Sequence, residues 1–236
     1  MRVARILTDG ENFLSPEHHG ELLSYQEEWE EIQKRIWMCN NCVAYPRVER
    51  NLRQQTEVPT ERPVRLLIVA VAPPFEPGKV CKTKAMSATN NPRDKLRLFV
   101  EESLQLSWPE LVRRGLFLLH PVKCAIIPNS DGYQNPENKV VDACVSDHLI
   151  NEIRMTRPPI ILALGGTARR AVARSLGDYK TTGLRVTGPL SGTFLTETEG
   201  RKWQIIVTRH IRGTGRKVAR KALCQAAELA GVMAPC

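Results

Sequence analysis

The chain has 236 residues, of which 42% are hydrophobic, and it carries a formal net charge of +9. This length suits one large α/β domain or two small ones, and the composition provides enough apolar side chains for a buried core. We find no eighteen-residue apolar run and no secretory cleavage pattern, so we predict a cytoplasmic protein without a membrane span. Disulfides are rare in a reducing compartment, so metal binding or burial better explains the seven cysteines.

The charge is distributed unevenly along the chain. Residues 9–31 contain eight acidic residues and no Lys or Arg, whereas residues 201–221 contain eight Lys or Arg and no acid. A basic body of this kind suggests a polyanionic partner, most simply nucleic acid, and a merely solvated surface is the alternative. For the acidic N-terminal segment we favour a solvated amphipathic helix over a DNA mimic that shields the basic face or a docking site for a partner.

Helical and strand patterns alternate along the chain. Ser15-Pro16 predicts a helix start, and apolar residues at helical spacing extend this helix to about Met38. Residues 45–63, with three prolines, are predicted to be a connector. Continuous apolar runs predict buried strands at 65–72, 115–120, 159–164 and 203–208. Helical patterns occupy roughly 92–106, 137–156, 166–175 and 214–231.

This alternation predicts an α/β fold. We expect a three-layer α/β/α sandwich with a central, mainly parallel four-stranded sheet and an N-terminal helical extension. The predicted division is an acidic extension over 1–38 and an α/β domain over 39–236. Ligands of such sheets bind beyond the carboxyl ends of the strands, which here are Ala72-Pro73, His120, Gly165 and Arg209-His210.

Four cysteines form a pattern of their own. A close pair, Cys39 and Cys42, is followed by two distant single cysteines, Cys124 and Cys144, near the ends of predicted elements. Four convergent thiolates of this kind hold an iron–sulfur cluster, although a four-Cys zinc site is also possible. Cys81 is a reserve ligand, whereas the remaining two cysteines fall in a helix and in the tail: Cys224 and Cys236.

Several segments together resemble the iron–sulfur branches of the uracil-DNA glycosylase superfamily, families four and five. They are Leu119-His-Pro-Val-Lys-Cys124, a Pro- and Asn-rich loop, Cys144, and the run 158–168 containing Leu164-Gly165. The first family motif corresponds to residues 70–76 and the last to 208–211, so the resemblance covers roughly residues 33–231.

The resemblance implies an activity and a cofactor. It indicates a monofunctional glycosylase that flips uracil out of DNA and hydrolyses its N-glycosidic bond, leaving an abasic site for base excision repair. The implied cofactor is a [4Fe–4S] cluster on the four cysteines, and the implied partner is uracil-containing DNA. We expect a monomer that is nucleoid-associated in a prokaryotic cytoplasm.

Three positions depart from the family motifs. Val71 stands where an acid is usual, His120 where an Asn is usual, and Ile211 where a Pro follows the last His. These departures keep two alternatives open. One is a glycosylase for another deaminated base such as hypoxanthine, and the other is a catalytically silent iron–sulfur DNA-binding module.

The resemblance and the strand ends together assign the catalytic and substrate-binding residues. His210 would donate to the uracil O2 as negative charge develops on the leaving base. His120 would read the Watson–Crick edge of the flipped base, and Glu76 would orient a water molecule. The pocket would be shaped by the backbone of Ala72 and Pro73, with Phe75 stacking on the base and Asn129 as a reserve for amide-type recognition.

The basic residues around His210 are predicted to contact DNA. A base must be pushed out of the duplex, often by a side chain wedged into the stack, and Ile211 or Arg212 could be this wedge. Contacts to phosphates are expected from the neighbouring cations Arg209, Arg212, Arg216 and Lys217. A solvated helix face is the alternative for these cations.

Overall fold

The fold is built around two sheets. The computed structural model describes residues 16–53, 59, 63–72, 92–130, 135–176, 184–185, 187, 191–198, 200–211 and 215–233. In chain order the elements are α1 Pro16–Met38, β1 Val48–Arg53, β2 Leu66–Val69, α2 Lys95–Leu104, α3 Trp108–Arg113, β3 Leu116–Leu119, β4 Cys124–Ile126, α4 Asn138–Cys144, a π-helical turn Val145–Leu149, α5 Ile150–Thr156, β5 Ile160–Leu164, α6 Gly165–Leu176, β6 Gly192–Thr198, β7 Arg201–Thr208 and α7 Gly215–Leu229.

The central sheet has five strands in the order β3-β2-β5-β7-β6. The four strands expected from apolar runs, β2, β3, β5 and β7, are mutually parallel, which confirms the mainly parallel sheet. The fifth strand, β6, pairs antiparallel with β7 at the edge and was not predicted. It is mostly exposed and alternates Thr with other residues, so it has no continuous apolar run to reveal it.

Helices cover both faces of this sheet, which confirms the three layers. Successive residues of a strand point to opposite faces. Leu67 and Val69 pack towards α1, α4, α5 and α6, whereas Leu66 and Ile68 pack towards α2, α3 and α7. All four of these side chains are fully buried. Each such Leu or Ile contributes about 1.5–3 kcal/mol through removal of apolar surface from water.

The N-terminal helix α1 runs from Pro16 to Met38, as the sequence predicted. Trp29 is buried and meets the ring of Phe117 edge to face, with 5.7 Å between centroids. The helix therefore lies against the sheet, and the domain boundary at residue 38 stays a prediction. None of the described helices combines the length and the apolar character that a bilayer span requires.

A second, two-stranded sheet corrects one prediction. Residues 45–63 were expected to be a connector, but Val48–Arg53 forms β1, which pairs antiparallel with β4. This strand is rich in charged residues (Val-Glu-Arg-Asn-Leu-Arg), so its sequence carries no apolar strand pattern. The pairing matters because β1 follows Cys42 closely and places Arg53 opposite Cys124.

Candidate functional site

The carboxyl ends of the parallel strands bring the predicted motif residues to one edge of the sheet. Ala72 follows β2, His120 follows β3, Gly165 follows β5 and His210 follows β7. Leu164 pairs with Thr208 in register, so Gly165 and His210 are neighbours. Gly165 has a φ of +91°, and a β-carbon on it would lie 3.4 Å from the Cβ of His210.

His120 is a buried, neutral imidazole. Only 3% of the residue is exposed, and neither ring nitrogen has a hydrogen-bond partner among the residues that the structure describes. Burial, together with the positive charge of Lys123, lowers the pKa of His120 to about 3. The preceding carbonyl, of Leu119, accepts a 3.0 Å hydrogen bond from the Ala70 amide, so His120 lies beside the first motif.

His210 is half-buried between two close glycines. Besides Gly165, Gly215 at the start of α7 approaches the His210 carbonyl oxygen, and a β-carbon at 215 would lie 2.3 Å from that oxygen. Arg209 is exposed, whereas Ile211 is half-buried against the apolar cluster beneath α2 and α7. The backbone and Cβ of His210 are therefore enclosed by close contacts on both sides.

The four predicted cluster cysteines share one neighbourhood. Cys42, Cys124 and Cys144 are buried and Cys39 is half-buried. The pKa of Cys42 is raised by its hydrogen bond to Cys144, by burial, and by the charges of the other thiolates in the set. The pKa of Cys144 is lowered, first by the hydrogen bond from Cys42 and then by the backbone N–H and the charge of Lys123. The charges of Cys39, Cys124 and Cys144 all act on Cys42, whereas the role of the four thiols as ligands of one cluster stays a prediction.

Three local structures carry the four cysteines. α1 ends at Met38, and turns through residues 39–45 carry the first pair. Cys124 begins β4, and Cys144 is the last residue of α4, where the helix changes to the π-helical turn. Helical structure runs without a break from Asn138 to Thr156 and includes Cys144, in agreement with the helical pattern predicted over 137–156. Asn41, between the paired cysteines, donates to Asp147 of the π-helical turn and joins the two segments.

A buried ion pair lies beside the cysteines. Lys123 Nζ pairs with Glu152 Oε2, and in the described part of the chain these two atoms have no other partner. Gln33 of α1 donates to the other oxygen of Glu152 at 3.5 Å. Burial and the charge of Lys123 also lower the pKa of His148, to about 4. The only signal of Glu152 in the sequence is its place on the apolar face of a helix.

The residues that the structure describes contain no preassembled metal site. No group of three or more His, Cys, Asp or Glu side chains within the described ranges is arranged to hold a metal ion, the four cysteines included. The four thiols nevertheless offer soft donors of the type that iron–sulfur clusters and zinc share.

A comparison with protein-family models decides the family. The model described as "Uracil DNA glycosylase superfamily" matches residues 61–228, about two thirds of the chain. The chain belongs to the uracil-DNA glycosylase superfamily. The matched range includes the four parallel strands, Cys124, Cys144 and His210, and it begins after Cys39 and Cys42. A search of curated proteins found no match. Membership indicates a DNA glycosylase, a hydrolase that acts on DNA.

The basic residues of the glycosylase near His210 differ in whether an acidic side chain pairs with them. Lys217 is exposed at the start of α7. Arg216 lies 2.5 Å from Glu102 of α2 and over the Phe99 ring, 5.4 Å from its centroid. Arg220 also pairs with Glu102, and the hydrogen bonds from both arginines lower the pKa of that carboxyl group. Glu102, which the sequence analysis did not single out, therefore partly neutralises the charge of Arg216.

The remaining predicted residues divide into described and undescribed positions. Asn129 is exposed after β4, and Ala72 is half-buried against the core face that carries the cysteines. Cys224 is half-buried in α7, where its Sγ lies 3.7 Å from the Ser103 carbonyl oxygen. Six predicted residues lie outside the described ranges: Pro73, Phe75, Glu76, Arg212, Cys81 and Cys236.

Proposed function

We propose that this protein is a monomeric, monofunctional uracil-DNA glycosylase that leaves an abasic site. The observation that carries the proposal is the pair of imidazoles at one edge of a superfamily sheet, His120 after β3 and His210 after β7. The sheet order places β2 and β5 between them, at the edge where ligands of parallel sheets bind.

His120 would read the edge of the base. A neutral imidazole has one donor and one acceptor, whereas the edge of uracil offers the N3–H donor and the O4 acceptor. The depressed pKa of His120 keeps this imidazole neutral at physiological pH. Its two nitrogens, without partners in the described structure, would gain a hydrogen bond when the base enters.

His210 would stabilise the leaving base. As the C1′–N1 bond breaks, its electron pair moves onto uracil, and water adds to C1′ with loss of a proton. An N–H of His210 directed at O2 would stabilise the developing negative charge. Glu76, placed by sequence after the first motif, is the proposed residue that orients this water.

A covalent lyase step is not part of the proposal. Such a step needs an uncharged lysine amine at the site. Lys123, three residues after His120, is fully buried and paired with Glu152. This pairing supports hydrolysis by water over attack by a protein amine.

We also propose that Cys39, Cys42, Cys124 and Cys144 hold a [4Fe–4S] cluster. The shared electrostatic neighbourhood of the four thiols and the Lys123 N–H hydrogen bond to Cys144 support this assignment. A cluster there would join the end of α1, the β4 strand and the end of α4. Its proposed role is structural, and zinc is the competing occupant.

The presence of His at position 120, where an Asn is usual, supports a second candidate substrate, hypoxanthine. The N1–H donor and O6 acceptor of hypoxanthine present the same pair of groups as uracil.

The test is single-turnover incision of labelled oligonucleotides holding one uracil, one hypoxanthine or one thymine, with alkali cleavage afterwards. Cleavage of the uracil strand only after alkali supports the proposal. Selective cleavage at hypoxanthine moves the assignment to that base, and tight binding without any cleavage favours a silent DNA-binding module.

A further inference from the structure

An open groove of about 820 Å³ lies on the side of the molecule away from the strand-end site. One wall is a face of α1 that includes Tyr25 and Arg35. The other walls are the end of α5 and the residues that begin strands, namely Val64 before β2 and Arg201 in β7. Since β5 alone spans about 15 Å, a duplex seated at the carboxyl ends of the strands would not enter this groove.

Four arginines from separate parts of the chain line the groove. They are Arg35 of α1, Arg154 of α5, Arg157 after α5 and Arg201 of β7. Glu28 is the one acidic residue on the described lining. Arg35 also lies 4.0 Å from Glu31, in an exposed pair of the kind that contributes little. The lining is therefore strongly positive, although the helix that forms one wall is acidic.

Arg157 and Arg201 are held by backbone carbonyl groups. Arg201 Nη2 donates to the Arg157 carbonyl oxygen, and Arg157 Nε donates to the Arg154 carbonyl oxygen at 3.1 Å. No described carboxylate forms an ion pair with either of them. Burial lowers the pKa of Arg201, and the nearby positive charge of Arg157 lowers it further. Among the residues that the structure describes, these two cations thus lie close together without a paired carboxylate, an arrangement that a bound anion would stabilise.

We propose that this groove binds the phosphates of a single-stranded nucleic-acid segment. Guanidinium groups bind phosphate oxygens through two parallel N–H donors. Tyr25 in the wall provides an aromatic face, and single-strand grooves combine such faces with a positive lining. The volume falls in the range of about 300–1,000 Å³ that is usual for ligand sites. This site goes beyond base excision, because it would hold a strand away from the duplex being repaired.

The test uses a photocrosslinker in the groove. Asn151 lines the groove, and we would replace it with p-benzoylphenylalanine in the full-length protein. The probe is labelled dT12, which contains no uracil, so crosslinking does not depend on base release. We expect a crosslink whose yield falls about tenfold in the Arg157→Gly/Arg201→Gln variant. Equal yield in this variant and the parent would overturn the proposal.

Arg157→Gly is chosen because the fold tolerates it. Arg157 has a φ of +45° at the end of α5, a left-handed conformation that glycine adopts without strain. The matched control is Arg113→Gln, which removes one exposed arginine paired with Glu110. We expect the control to keep the parental crosslink yield. Thermal melting of each variant tests whether a loss of crosslink yield comes from unfolding.

A competition arm separates two sources of the same phosphate chemistry. Unlabelled dT12 and ATP are titrated as competitors, and their concentrations are compared as total phosphate. Displacement by dT12 at much lower concentration than ATP supports a strand. Equal displacement by both would overturn the strand and assign the groove to free nucleotides.

Discussion

Gly215 lies so close to His210 that the two residues are structurally coupled. A β-carbon on Gly215 would lie 2.3 Å from the His210 carbonyl oxygen and 3.2 Å from the Arg209 Cβ. Glycine is required here because a β-carbon would clash with these atoms. Backbone conformation is not the reason, since Gly215 lacks the positive φ of Gly165. The first turn of α7 therefore fixes the backbone that presents the proposed catalytic imidazole.

Gly215→Ala should slow base excision by displacing this backbone. We expect His210→Ala to lower the single-turnover rate by about a hundredfold or more, the scale of losing one oxyanion donor. Gly215→Ala should give an intermediate loss of about tenfold, although alanine is the better helix former. Gly200→Ala is the control for a glycine replacement outside the site, because a β-carbon on Gly200 has no neighbour within 4 Å, although its φ of +71° strains an alanine there. A Gly215→Ala enzyme with the wild-type rate would contradict the coupling.

Replacement of one cluster cysteine should remove the proposed cofactor. Cys124→Ala should abolish the brown absorbance and the bound iron and should impair folding, because Cys124 is buried at the start of β4, opposite Arg53 of β1. Cys224→Ala is the matched control, since Cys224 lies in α7 on the opposite face of the sheet. Absorption spectra and metal analysis of both variants provide the measurement. A colourless wild type with stoichiometric zinc would show that the cluster assignment is wrong.

Most of the sheet could be predicted from the sequence because its parallel strands are buried on both faces. Leu66–Val69, Leu116–Leu119 and Ile160–Leu164 are continuous apolar runs, and each became a strand. The edge strand Gly192–Thr198 and the short β1 are exposed or charged, so their pairing depends on tertiary contacts. The π-helical turn after Cys144 likewise leaves no periodic signal, because it interrupts an otherwise helical segment.

The candidate site was predicted as a set of residues but not as a network. Strand ends and cysteine spacing identified His120, His210 and the four thiols. Contacts between distant segments, such as Lys123 with Glu152 and Arg216 with Glu102, carry no sequence pattern. The partners are far apart in the chain, so these contacts could not be read from spacing. They determine which charges are compensated.

His120 should make the protein less stable in mild acid. Its pKa of about 3 in the folded state lies below the usual 6.5, so below pH 6.5 protons bind the unfolded chain preferentially. This contribution to stability is complete above pH 6.5 and is lost as pH falls towards 3. Between pH 7.5 and 5 the loss should be about 2 kcal/mol.

His120→Asn removes this titration while keeping a polar side chain. Urea unfolding of both proteins at pH 7.5 and 5 gives the difference, in which all other groups, including His148, cancel. We expect the wild type to lose more stability than the variant over this interval. An equal loss in the two proteins would mean that His120 ionises normally in the folded state.

The buried Lys123–Glu152 pair should be costly to break from one side. Glu152→Gln leaves the fully buried ammonium group without its counter-charge, and such losses cost about 3–5 kcal/mol. Lys123→Met/Glu152→Gln removes both charges and should recover much of this stability. Glu110→Gln, which breaks the more exposed pairs with Arg113 and Arg114, should cost about 1 kcal/mol or less.

Denaturant unfolding, with iron content measured on the same samples, checks this prediction. Lys123 also adjoins Cys144, so iron retention in the double variant separates the stability of the pair from cluster assembly. A Glu152→Gln protein as stable as Glu110→Gln would show that the ammonium is compensated by another group.

Glu102 should restrain DNA binding at the face that carries His210. It pairs with both Arg216 and Arg220, and their hydrogen bonds keep its pKa below 4.5, so it is fully charged near neutral pH. Glu102→Gln would release both guanidinium groups towards phosphates. We expect an affinity gain of a few fold for a uracil-containing duplex and a salt dependence steeper by about one phosphate contact.

Glu197→Gln controls for the change in net charge, since Glu197 is exposed on the edge strand β6, away from α7. Fluorescence anisotropy over a range of salt concentrations measures the affinity and the slope for each variant. The prediction requires the slope to change for Glu102→Gln alone. Identical affinities and slopes for the two variants would mean that Arg216 and Arg220 do not contact the DNA, and the phosphate contacts would then fall to Arg209 and Lys217.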